Sequence, residues 1–114
     1  MSWEPQACVV AGYKIPREAG AYAMKLIEDD YDTNGRYEDF IVDPDSIRGA
    51  GDIFFGKIIF ELEEDCDPVR FDSILFSQKD CDEVNRGFNL LLAKWCAEHN
   101  YSVRFDKWIM VRWI

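Results

Sequence analysis

The chain has 114 residues, enough for one domain, and 48% hydrophobic with 15% aromatic residues supply a packed core and exclude intrinsic disorder. Against 13 basic residues stand 22 acidic ones, so the formal charge is −9, which rules out non-specific binding to nucleic acid or anionic lipid as a default role.

The opening Met-Ser-Trp-Glu-Pro-Gln has no basic or apolar signal region, and no apolar run approaches the roughly 20 residues that span a bilayer. The expectation is a cytoplasmic protein without membrane association. Cys8, Cys66, Cys81 and Cys96 are expected to be reduced thiols, since a chain with this core needs no disulfide staples.

Ala7 to Lys14 is short, apolar and β-branched and reads as a first strand, stopped by Ile15-Pro16. Ala19, Tyr22, Ala23, Leu26 and Ile27 then repeat at the helical period and predict an amphipathic helix over 16–29. Asp32-Thr33-Asn34-Gly35 is a turn signal, Tyr37 to Val42 reads as a strand, and Asp43-Pro44 ends it. A longer strand is expected over 53–62, with Gly56 marking a bulge, and a short one over 69–75.

The strongest periodicity lies in 80–99, where Val84, Phe88, Leu91, Leu92, Trp95 and Cys96 form one apolar helical stripe. Asp80 and Glu83 resemble a capping pair at its start, and Asn100 suits the left-handed position after its end. Tyr101 to Phe105 and Trp108 to Trp113 predict two closing strands or one long bent one. The fold class is therefore α+β: a single domain over 1–114 with two helices packed on a mostly antiparallel sheet, in the order β-α-β-β-(β)-α-β-β. No repeat or linker divides it.

Catalytic and metal-binding patterns are weak. Asp30, Asp32, Asn34 and Gly35 match positions 1, 3, 5 and 6 of an EF-hand calcium loop, with Glu38 at position 9. Position 12, which needs a bidentate carboxylate, is Ile41, so a solvated turn is the simpler reading and weak calcium binding the alternative. The cysteines lack the C-x₂₋₄-C spacing of structural zinc sites, and the single His99 falls where a helix end offers it free carbonyls. No catalytic constellation, metal or cofactor is expected.

What the sequence does concentrate is negative charge. Residues 28–83 hold 18 acids and 5 bases, whereas the flanks are slightly basic. Glu28, Asp29, Asp30 and Asp32 crowd the end of the first helix, where the macrodipole disfavours them. Glu61, Glu63 and Asp65 would share one strand face at roughly 6.6 Å intervals if that strand continued. In size, charge and lack of a recognisable active site, the chain resembles the small acidic inhibitors encoded by phages, including anti-CRISPR proteins and DNA mimics. That resemblance implies an inhibitor that occupies the basic groove of a nucleic-acid-binding protein and does not itself bind nucleic acid. The partner-binding residues expected on this reading are Asp29, Asp30, Asp32, Glu38, Asp39, Glu61, Glu63, Glu64, Asp65 and Asp67. The aromatic run Trp108 to Ile114 offers a different role, an interaction module built on an uncovered strand edge or dimer surface; its simplest reading is a central buried strand. Oligomeric state stays open.

Overall fold

The structure, a computed structural model, describes residues 4–45, 48–62 and 67–113, except for the Trp113 side chain. The elements run β1 (Pro5–Ile15), α1 (Arg17–Asp29), α2 (Tyr31–Asn34), a 3₁₀ helix (Gly35–Phe40), β2 (Ile41–Val42), β3 (Ile53–Glu61), a 3₁₀ turn (Phe71–Ser73), α3 (Gln78–Leu91), α4 (Ala93–Glu98) and β4 (Phe105–Trp113). The four strands form one antiparallel sheet in the order β2-β3-β1-β4. The α+β architecture is thus the expected one. No helix among the described residues is long and apolar enough to cross a membrane.

Strand alternation gives the sheet two apolar faces. Ile15, Ile53 and Phe55 face the helices and meet Ala19, Ala23 and Ile27 of α1, Val84, Phe88 and Leu91 of α3, and Cys96 of α4. Cys8, Val10, Phe54 and Met110 form a second cluster with Val42, packed against Trp108 and Ile58. Burial pushes the Cys8 and Cys96 thiols above the ordinary cysteine range, and Cys8, Cys81 and Cys96 are all free.

Several local expectations give way to packing. Residues 35–40 coil into a 3₁₀ helix instead of a strand because Tyr37 turns inward to full burial, with Phe40 edge-on to it and to Phe55. Only Ile41 and Val42 remain to pair with β3. The strand expected over 69–75 is an irregular segment with a 3₁₀ turn. Its Phe71 and Ile74 carbonyls accept from the Lys107 ammonium, which takes the place of a strand partner. Leu92, at φ −127°, divides the second long helix into α3 and α4. The start of α3 is also one turn earlier than expected, at Ser77, whose hydroxyl accepts from the Asp80 amide while Asp80 accepts from the Ser77 amide.

Two end signals hold. Asn100 is left-handed at φ 52°, and the Tyr101 amide reaches back to the Cys96 carbonyl at 2.8 Å, closing α4 as a Schellman motif. His99 caps the same turn, its Nδ1 2.8 Å from the Trp95 carbonyl and its ring stacked on Trp95. Gly56, by contrast, marks no bulge: the register shift falls at Ile59, and Gly56 sits directly opposite Gly12. Residues 101–104 lie outside the final strand, so β4 is single. It is also an edge strand, which corrects the central placement read from its composition.

Candidate interaction surface

The carboxylates between 28 and 39 are gathered by three short elements folded on one another. α1 ends at Asp29, Asp30 joins it to α2, and the 3₁₀ helix follows at once. Asn34 ties α2 back to α1. Its side chain is buried, and its Nδ2 donates at 3.2 Å to the Leu26 carbonyl, which also accepts from the Asp30 amide at 3.1 Å. Tyr37 anchors the other side in the core.

The Asn34 side chain is thus turned to the α1 backbone, and the residues that match a calcium loop in sequence are helical from 31 to 40. Among the described residues, no group of three or more His, Cys, Asp or Glu side chains is placed to hold a metal.

Glu28, Asp29, Asp30, Asp32, Glu38 and Asp39 are all exposed, and none has an ion-pair partner among the described residues; Asp39 faces the β3 side, in a depression shared with Lys57 and Asp80. Asp30 caps neither helix with its side chain. Nor does any basic residue lie in the last turn of α1, where a cation would favour the macrodipole. The setting differs elsewhere in the molecule, where nine acidic residues are held by Lys or Arg. Arg17 grips Asp43 with two bonds of 2.6 and 2.9 Å and holds its carboxyl below the usual carboxylate range.

Sequence reasoning grouped Glu61 with the corner, but the fold separates them. Glu61 ends β3 opposite Cys8, on the sheet face away from the helices, where Arg112 binds it at 2.9 Å and Gln6 at 3.1 Å completes the network. Asp67 is exposed beyond β3; Glu63, Glu64 and Asp65 lie outside the described residues.

Two cations near the corner were missed, Arg36 and Arg86, which flank an open depression of about 270 Å³ with Tyr37, Phe40 and Glu83. Arg36 lies over the Tyr37 ring at 4.7 Å. Neither shows a periodic or motif signal in the sequence.

Next to the corner, Lys57 projects from β3 between Asp80 at 3.0 Å and Glu83 at 2.7 Å. These bonds, first to Glu83 and then to Asp80, raise the Lys57 pKa; the same lysine lowers both carboxyls. A lowered carboxyl pKa contributes stability above its unfolded value, and the contribution is lost as pH falls through the folded value. The raised lysine contributes below its unfolded value and is lost only at alkaline pH, as pH climbs through the raised one. Urea midpoints measured against pH are therefore expected to fall on the acid side. Lys57→Met should flatten that fall; an unchanged acid slope would show that the triad does not couple to folding.

No family model, curated protein or solved structure matches the chain.

Proposed function

We propose that the protein is a small acidic inhibitor acting in the cytoplasm, which docks the carboxylate corner of residues 28–39 onto the basic, nucleic-acid-binding surface of a protein partner. The observation that carries this reading is the contrast in charge pairing. Nine of the thirteen other described acids are ion-paired within the fold, while none of the six exposed carboxylates of 28–39 has an ion-pair partner among the described residues. Such clustering opposes folding through self-repulsion, and a positively charged partner relieves it. Asp29, Asp30, Asp32, Glu38 and Asp39 then supply steering and charge-assisted bonds to arginine and lysine.

Capture from a host lysate at low and high salt, read by mass spectrometry, tests the reading. The expected partner is a nucleic-acid-binding protein, recovered at low salt, lost at high salt and displaced by its own DNA or RNA. With that partner in hand, the triple variant Asp29→Lys, Asp30→Lys, Asp32→Lys should slow association about tenfold or more. Capture that resists salt, or an association rate indifferent to the triple reversal, would overturn the proposal.

A further inference from the structure

The sheet has two exposed edges, and they are built differently. Beyond Phe55, β3 has no strand beside it among the described residues, but its outer side is interrupted by the bulge at Ile59, and Lys57 is turned inward to Asp80 and Glu83. Both are devices that discourage edge pairing. β4 has neither. It pairs with β1 residue for residue from Phe105 to Trp113 without a register shift. Its only lysine, Lys107, is withdrawn to the Phe71 and Ile74 carbonyls. Ile109 and Val111 are 64% and 52% exposed on the helix side, and Ile109 borders a cleft of about 130 Å³ with exposed Leu62, Val69 and Phe71. A nine-residue, regular edge with an apolar centre from Trp108 to Val111 is a template for another strand.

We propose that β4 pairs antiparallel with β4 of a second copy of this chain, across a twofold axis at Ile109. The occupant follows from self-complementarity. Ile109 is the midpoint of Phe105–Trp113, so this register alone pairs every residue of the strand with one of its partner. It sets Ile109 against Ile109, Trp108 against Met110, and Asp106 against Arg112.

Asp106 and Arg112 share the sheet face away from the helices, since they pair with Gly12 and Gln6 of β1. Each already has an intrachain partner at 2.9 Å: Arg104 for Asp106 and Glu61 for Arg112. The Ile109 register joins these pairs into an alternating series, Glu61, Arg112, then Asp106 and Arg104 of the second copy, repeated by the twofold axis. A register centred on Lys107 would bring two ammonium groups face to face, and one centred on Trp108 would set Arg104 against Arg112. The result is an eight-stranded antiparallel sheet that ends in β2 at both sides. The acidic corners, which lead into β2, stay free at its two ends.

Sedimentation velocity of the full chain over low to high micromolar concentration reads the outcome, with Ile109→Lys and Val111→Lys as variants. Both side chains are exposed, so the variants should keep the circular dichroism of the parent chain. The parent chain is expected to reach twice the 13.3 kDa of one copy. Ile109→Lys should sediment as a monomer, because the axis would then oppose two lysines. Amide hydrogen exchange should slow across 105–113 as the dimer forms. A parent chain that stays monomeric overturns the proposal. So does a dimer that survives both substitutions, or one that forms without protecting 105–113. A monomer whose β4 instead captures a foreign strand, with capture lost in Ile109→Lys, assigns the edge to another occupant and overturns the second-copy reading.

Discussion

Phe55→Ala is expected to lower the unfolding free energy by about 3–5 kcal/mol, the range for removing a buried aromatic ring. The ring has no exposed surface and belongs to the helix-side core. Phe40 meets it edge-on at 5.9 Å, and the α3 backbone at Gly87 lies so close that a Cβ there would stand 2.9 Å from the Phe55 ring and 2.7 Å from Tyr37. Three elements would therefore line the cavity: β3, α3 and the 3₁₀ helix. α3 is held by its capping box and cannot close the gap without moving the Lys57 bonds to Asp80 and Glu83. Because a domain of this size has only about 5–15 kcal/mol in total, the substitution consumes a large share of its stability. Urea unfolding followed by circular dichroism gives the number. Loss below about 1 kcal/mol would mean that the 3₁₀ segment collapses into the space, a relaxation that would also shift the carboxylate corner.

The parts of this architecture written in the sequence are those with uninterrupted periodicity. β1, α1 and α3 each carry a pattern that one tertiary environment satisfies, so period and burial agree. Residues 35–40 carry a loose alternation that fits a strand as well as a helical turn, and the choice is made by Tyr37 and Phe40 finding Phe55 from a distance. Likewise, Trp108-Ile-Met-Val-Arg-Trp113 has the same composition whether it is central or at an edge. Its position depends on how β1 is shared between β3 and β4, which is topology and leaves no local trace.

The interaction surface divides along the same line. Clustering of acids in 28–39 is visible as a charge count, and the fold keeps that cluster together because α1, α2 and the 3₁₀ helix are contiguous in the chain. Which acids are neutralised is not visible. Asp43 meets Arg17 across 26 positions, and Glu61 meets Arg112 across 51. Sequence distance hides such pairs, so Glu61 counted as a free carboxylate until the sheet register set Arg112 beside it.

Gly12→Val is expected to destabilise the protein by about 3 kcal/mol, at the upper end of the range for forcing extra volume into a packed site. Gly12 faces Gly56 across β1 and β3, with neither position leaving room for a Cβ. A Cβ on Gly12 would stand 2.6 Å from the Gly56 Cα and closer still to the Phe55 carbonyl oxygen. Both neighbours are backbone, so relief requires the two central strands to part. Parting them also disturbs Trp108, whose indole Nε1 donates to the Gly12 carbonyl at 2.9 Å and whose ring lies 6.0 Å from Phe54. The second apolar cluster, with Val10 and Cys8 in it, would open with it. Gly51→Ala serves as the contrast. Gly51 has a left-handed φ of 80° but open space around it, so its cost is the backbone term alone, about 1–2 kcal/mol. Thermal unfolding read by tryptophan fluorescence separates the two. Gly12→Val should shift both the midpoint and the native emission, Gly51→Ala the midpoint only. Equal effects would mean that the Gly12–Gly56 crossing has room to spread, and that the closeness of β1 to β3 is not what holds Trp108 in place.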